Sequence, residues 1–208
     1  MALIGEAHKE NKKEYEIRVL TRSEIQKIYA RNMTGDFPPD ELKPLSMMEM
    51  ALDKGKYICY GYFRGGEMAA YAYFALLDRN ILIDYYAVDS NLRGQGLGSA
   101  FLADLIAGPL NNYDCALLEV EDPDYAADPE EKETCLSRLR FYLRNGLTDT
   151  GARSLLNHVN YAILALPVGK ASSGKEVLNI YLSIYEAMPR PADFPKDFQI
   201  EGWELKRK

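Results

Sequence analysis

A mixed α/β domain is the fold class this sequence predicts, and three features predict it. Aromatic and β-branched runs at Tyr57 to Phe63, Met68 to Leu77 and Ile81 to Val88 are separated only by Arg64-Gly65-Gly66-Glu67 and Asp78-Arg79-Asn80, the pattern of an antiparallel meander. The third run leads straight into a glycine-rich turn, Asn91 to Ser99, and the turn into an amphipathic stretch, Gln95 to Ala107, closed by Gly108-Pro109. Beyond it Cys115 to Val120 is an apolar run, consistent with a buried strand lying beside the one that enters the turn. A chain of 208 residues, 47% hydrophobic and 27% charged, is long enough to bury one core.

Taken in order, residues 1–14 read as a lead-in rich in Lys and Glu, 15–187 as the domain and 188–208 as a C-terminal tail. Tyr15 to Leu20 alternates polar and apolar residues like a half-buried strand, and Thr21 with Glu24 forms a capping box for a helix to about Met33. Thr34 to Asp40 is a breaker cluster, and Ser46 with Glu49 offers a second capping box for a helix to about Lys54. Met47, Met48 and Met50 on it read first as core and second as an adaptable groove wall, with Tyr29, Met33, Met47, Tyr71 and Tyr73 as possible groove residues. After the glycine turn, its helix and the Cys115 strand, the acidic stretch Glu121 to Glu133 reads as a loop or a helix start, and Leu136 to Arg144 as a helix stopped by Asn145-Gly146. Ser154 to Leu166, with His158 inside it, and Val177 to Ala187 read as two long strands around a turn at Gly169 to Gly174; Trp203 is an aromatic anchor in the tail.

The formal net charge of -6 argues against sequence-independent nucleic-acid binding, which needs a basic field. Cys59, Cys115 and Cys135 lack a C-x-x-C pair and read as reduced packing residues, and with only His8 and His158 a metal site is not expected. No apolar run reaches about 18 residues and no signal-peptide pattern opens the chain, so a cytoplasmic protein with no membrane partner is expected.

Glycines at alternate positions, Gly94, Gly96 and Gly98, leave backbone N–H groups unshielded, and the first turn of the following helix adds donors with no partner inside the helix. Such a cradle suits a diphosphate. A nucleoside-triphosphate loop would need Lys-Ser/Thr after the last glycine, where Ser99-Ala100 stands. A dinucleotide turn finds an acidic residue, Glu119, downstream, but its third glycine comes one place early and an antiparallel meander precedes it.

Arg93-Gly94-Gln95-Gly96-Leu97-Gly98 resembles the R/Q-x-x-G-x-G/A signature of the GNAT superfamily of acetyl-CoA-dependent N-acyltransferases. Ala87-Val88 ends the preceding strand as in family members, Leu118-Glu119-Val120 fits the next strand, and Phe141-Tyr142-Leu143-Arg144-Asn145-Gly146-Leu147 looks like the family's aromatic-Tyr-x-x-x-Gly helix end. The resemblance spans about Tyr15 to Ala187, and Gly35 to Leu45 with the strands after Gly151 resembles an uncharacterised bacterial-type branch. It implies a largely antiparallel sheet with one parallel, splayed central pair, Ile81 to Asp89 and Cys115 to Glu121, flanked by helices. The pantetheine arm of acetyl-CoA, the implied cosubstrate, would lie in the splay. Ala87 and Val88 would line that arm, Arg93 would shape the turn or touch phosphate, and Gly94, Gln95, Gly96, Leu97, Gly98 and Ser99 would hold the diphosphate. No metal is implied.

An amine acceptor must lose a proton before it attacks a thioester. For a lysine-like amine at pH 7 that costs roughly 4–5 kcal/mol. Strand carboxylates are the candidates: Asp84, placed by alternation on one face with Tyr86 and Val88, and Glu119 and Glu121, on one face of the next strand. The plainer reading pairs them with Arg138, Arg140 or Arg144. Tyr142 matches the family tyrosine that protonates the departing CoA thiolate or hydrogen-bonds its sulfur, and the family's usual Asn after the fifth strand gives way here to the acidic insertion. The expected activity is N-acetylation of a primary amine on a small molecule or peptide; the alternative is a non-catalytic acyl-CoA-binding module. A long exposed final strand and the tail could support a homodimer.

Overall fold

The computed structural model describes residues 15–39, 41–169, 174–192, 194, 196 and 198–205. The lead-in, with His8, lies outside the described residues. Among the described residues, eight strands form one sheet in the order β1-β2-β3-β4-β5-β7-β6-β8. They are β1 (Glu16–Val19), β2 (Tyr57–Arg64), β3 (Glu67–Leu77), β4 (Asn80–Val88), β5 (Cys115–Glu121), β6 (Thr148–Leu156), β7 (Val159–Ala165) and β8 (Ile200–Glu204). Among the described residues only β4 and β5 pair in parallel; every other neighbouring pair of strands is antiparallel. The meander β2-β3-β4 follows the sequence pattern, with Gly65 and Gly66 at φ +57° and +87° closing its first hairpin, a backbone that glycine adopts without strain. The parallel pair follows because a helix, α4 (Leu97–Ala107), carries the chain back before β5 begins.

Each face of the sheet has its own core. On one, α4 and α5 (Pro129–Arg144) cover Ile81, Ile83, Leu118 and Val120 with Phe101, Leu102 and Leu105. On the other, α1 (Arg22–Ile28), α3 (Leu45–Asp53) and α6 (Lys175–Ala187) cover Tyr71, Tyr73, Leu82, Tyr85 and Leu117. α1 starts at the expected capping box: the Glu24 carboxylate accepts from Thr21 N–H at 2.8 Å, and the Thr21 hydroxyl accepts from Glu24 N–H at 3.3 Å. A π-helical turn (Tyr29–Met33) and the short α2 (Thr34–Asp36) prolong it, so the helical path runs past the predicted end at Met33. Cys59, Cys115 and Cys135 are buried thiols.

Four sequence expectations change. Val177 to Ala187 is not a strand: Val177, Leu178, Tyr181, Ile184 and Tyr185 are buried at helical spacing, and packing on the sheet overrides the strand preference of Val, Ile and Tyr. The long strand Ser154 to Leu166 is the end of β6, a hairpin turn and β7, because Asn157 and His158 take φ of +45° and +73°, the left-handed backbone of a two-residue turn. Ser46 does not cap α3; Pro44, with its ring-fixed φ of -55°, precedes the helix and leaves Ser46 inside the first turn. The segment read as a tail adds β8 to the sheet edge, with Trp203 opposite Arg153, and the long final strand invoked for a homodimer, Val177 to Ala187, is the helix α6.

Candidate functional site

The glycine turn is built by its backbone. Asp89 accepts from Asn91 N–H at 2.9 Å and starts a tight turn (Ser90–Leu92). Gly94 and Gly96 follow at φ +78° and +80°, with no atom within 4 Å of where a side chain would begin. A residue with a Cβ is strained there by roughly 1–2 kcal/mol. Gly96 caps α4 with no side chain bonded to the helix end, so the N–H groups of Leu97, Gly98 and Ser99 have no intrahelical acceptor and give the turn a positive pole. Gly98 is small for a different reason: a methyl group there would meet the Phe141 ring at 3.3 Å and Val88 at 3.5 Å. Arg93 shapes the turn, donating to the Val88 carbonyl at 3.0 Å and to Asp36 at 2.6 Å, and Tyr71 donates to the same Asp36 carboxylate at 2.8 Å.

Beside this turn the two parallel strands part. Their ladder runs only from Asn80–Cys115 to Ile83–Leu118. Beyond it β4 stays with β3 as far as Val88, and β5 stays with β7 as far as Glu121. A cavity of about 880 Å³ opens at the gap and reaches both faces of the sheet. Towards α4 and α5 it meets Val88, the turn, Phe141 and Tyr142; on the other face it meets Phe37, Lys43, Tyr161 and Phe198.

Asp84 and Glu119 stand on either side of the gap, on the face covered by α6. A β-bulge puts Asp84 there: Tyr73 pairs with Tyr85 and Phe74 with Ile83, so Asp84 is the extra residue and turns away from Tyr86. The alternation that placed it with Tyr86 and Val88 is therefore corrected. Tyr86 stacks on Phe101 of the opposite face and donates to the Gly98 carbonyl, while the Asp84 carboxylate, 1% exposed, accepts from Lys43 Nζ at 2.5 Å and from the Tyr57 hydroxyl. Glu119 accepts from the Tyr185 hydroxyl at 2.6 Å and from Tyr181, which also bonds Ser154 at 2.9 Å. Glu121 is paired with Arg138 of α5, and the Cys135 thiol lies 3.7 Å from the same carboxylate. The plainer ion-pair reading thus describes Glu121.

Burial sets the proton affinities. It raises Glu119 above the ordinary carboxylate value, against the charge of Lys43 and the phenol hydrogen bonds, with Asp84 adding to the rise. Burial alone would lower Lys43, but the charges of Asp84 and Glu119 outweigh it and raise the ammonium. Burial pushes Tyr142 up to about 12 against the pull of Arg138, so its phenol is protonated near neutrality.

Asp84, Ala87, Val88, Arg93, Gly94, Gly96, Leu97, Gly98, Ser99, Glu119, Glu121 and Tyr142 all border this cavity. Gln95 does not; its amide donates to the Asn91 carbonyl at 3.4 Å. Met33, Met47, Tyr71 and Tyr73 are buried in the core and Tyr29 packs against it, so none forms the groove wall suggested for them. Sequence reasoning missed Lys43, Tyr57, Tyr181 and Tyr185. A signal existed for Lys43, a lone cation between Pro39 and Pro44, whereas the strand reading of α6 hid the i, i+4 pair of tyrosines. Among the described residues no cluster of His, Cys, Asp or Glu could hold a metal ion, and no helix is long and apolar enough to cross a membrane.

Comparison with known proteins points the same way. Residues 22–130 match the model of the Acetyltransferase (GNAT) family. A Bacillus subtilis protein named as an acetyltransferase, YjbC, is 32% identical over 156 residues, covering 72% of this chain and 75% of its own. Among solved structures, one named as a GNAT-family acetyltransferase, from Bacteroides thetaiotaomicron, superposes with a TM-score of 0.65 at 20% identity, over 83% of this chain and 97% of that one. Spermidine N-acetyltransferase from Vibrio cholerae, in complex with CoA and spermine, gives 0.55 at 9% identity over 74% and 96% of the two chains.

Proposed function

Because the chain belongs to the acetyltransferase (GNAT) family, we propose that it transfers an acetyl group from acetyl-CoA to a primary amine of a small molecule or peptide by direct attack. One observation carries this reading: a single cavity joins the glycine turn, through the gap between β4 and β5, to a buried carboxylate on the far face of the sheet. The diphosphate takes the N–H groups around Gly94 to Ser99, and the pantetheine arm lies in the gap along Ala87 and Val88, where β4 has lost its parallel partner. The amine enters from the face of Phe37, Tyr161 and Phe198, rings suited to an apolar body behind the amine.

Glu119 receives the amine proton, directly or through a water, and the neutral nitrogen attacks the thioester carbon. Its affinity for protons, raised above that of an ordinary carboxylate by burial, makes it a stronger base than a surface carboxylate. The C–N bond forms, the tetrahedral centre collapses with loss of the C–S bond, Tyr142 gives its proton to the leaving thiolate, and the nitrogen's second proton passes through water to restore the Tyr142 phenol, yielding amide and free CoA while Glu119 releases its proton to solvent. Asp84 and Glu121, both paired with cations, hold the site together instead of taking that proton.

Calorimetric titration with acetyl-CoA and with NAD, followed by a thiol-release screen over primary amines, tests the proposal. Acetyl-CoA binding, no NAD binding and CoA release with at least one amine class are expected. Binding without turnover on any amine would leave a non-catalytic acyl-CoA module, and NAD binding without CoA binding would overturn the reading altogether.

A further inference from the structure

Lys43 belongs to neither strand of the gap, yet it bridges them. Its Nζ lies 2.5 Å from Asp84 Oδ1 and 3.5 Å from Tyr185 Oη, and Tyr185 donates at 2.6 Å to Glu119 Oε1. The lysine is also anchored through its backbone. Its N–H donates to Tyr85 Oη at 2.7 Å, its carbonyl accepts from Tyr29 Oη at 3.1 Å, and the rings of Tyr85 and Tyr185 lie 5.5 and 5.1 Å from the ammonium.

Two carboxylates that face one enclosed space repel each other's charge, and a cation between them decides which keeps it. Lys43 supplies one positive charge. The short ionic contact goes to Asp84, whose other oxygen accepts from Tyr57, whereas Glu119 is held by the phenols of Tyr181 and Tyr185. We propose that Lys43 is the positioning residue of the acceptor site: its ammonium takes Asp84 as counter-ion and leaves Glu119 to receive the proton of the attacking amine. The proposal rests on the acetyl-transfer reading above, but its electrostatic half does not need turnover to be measured.

Glu119 is faced by Lys43 from the stretch 41–44 before α3, by Asp84 and Tyr85 from β4, by Tyr161 from β7, and by Tyr181 and Tyr185 from α6; Glu41 stands beside Lys43 and Tyr161. Burial holds all four tyrosines protonated well past neutrality, so they donate without changing charge. Asp84 would lose its counter-ion if the lysine were removed.

Infrared titration of the full chain, with the Glu119 band identified by its loss in Glu119→Gln, reads this directly. In Lys43→Met the midpoint for Glu119 deprotonation is expected to rise by about 1–3 pH units, the usual effect of losing a nearby opposite charge. Lys43→Arg is expected to keep the wild-type midpoint, and the acid limb of kcat/KM to move with the band while acetyl-CoA affinity stays unchanged. An unmoved midpoint in folded Lys43→Met, or a shift in Lys43→Arg as large as in Lys43→Met, overturns the proposal. If Lys43→Met does not fold cooperatively, Lys43→Gln is read by the same criteria. A wild type that binds acetyl-CoA but acetylates nothing overturns the transfer reading alone, since the infrared midpoints still decide the role of Lys43.

Discussion

The two sides of the gap between β4 and β5 are built by opposite means. On the α4 side the groups proposed to bind are backbone N–H donors at Gly94 to Ser99, from one contiguous stretch whose glycines keep side chains out of the way. On the α6 side they are side chains, and the Tyr57–Asp84–Lys43–Tyr185–Glu119 network draws on β2, β4, a loop, α6 and β5. A backbone site survives substitution of most neighbours so long as its φ angles hold. A side-chain network in a dry space fails when a single member changes charge.

That contrast can be broken one side at a time. Glu119→Gln removes the proposed base and leaves the turn intact, so acetyl transfer is expected to fall about 10²–10⁴-fold in steady-state assays. The same variant should lose the acid limb of the rate profile. In the wild type, kcat/KM is expected to rise with pH as Glu119, on the proposed role, gives up its proton, with a midpoint above the ordinary carboxylate range because burial penalises the anion. Tyr142→Phe is expected to cost less, about 10²-fold in kcat, since a thiol of ordinary pKa near 8.5 leaves readily and needs its acid less than an alkoxide would. Gly96→Val acts on the other side only. A β-branched residue at φ +80° is expected to weaken acetyl-CoA about tenfold by calorimetry, the equivalent of roughly 1–2 kcal/mol of left-handed strain. The smallest effect lies away from the gap: Thr21→Ala removes the α1 cap and should lower stability by about 1 kcal/mol in denaturant titration, with binding and turnover unchanged.

The same contrast explains what could be read in the sequence. The turn was legible because its chemistry is local: the glycines, the strand before them and the helix after them are adjacent in the chain, and the meander sets their orientation. The parallel pairing of β4 with β5 followed from the family resemblance and stands in the structure. Tyr142 was found by its motif and does border the cavity. The far side was only half legible. Glu119 stood out as a carboxylate in an apolar strand, but the tyrosines that hold it sit on a segment whose Val, Ile and Tyr content imitates a strand. Asp84 was found and put on the wrong face, since a bulge of one residue inverts the alternation and no residue type in Ile83-Asp84-Tyr85 announces it. Lys43 lies 41 residues from its partner in sequence, and only the fold joins them.

Calorimetric titration of acetyl-CoA into wild type and Glu119→Gln, with acetyl transfer measured on the same samples, tests the division between the two sides most directly. The account predicts equal affinity and stoichiometry in both proteins and transfer in the wild type alone. Loss of acetyl-CoA binding in Glu119→Gln, or transfer by that variant at the wild-type rate, would contradict it.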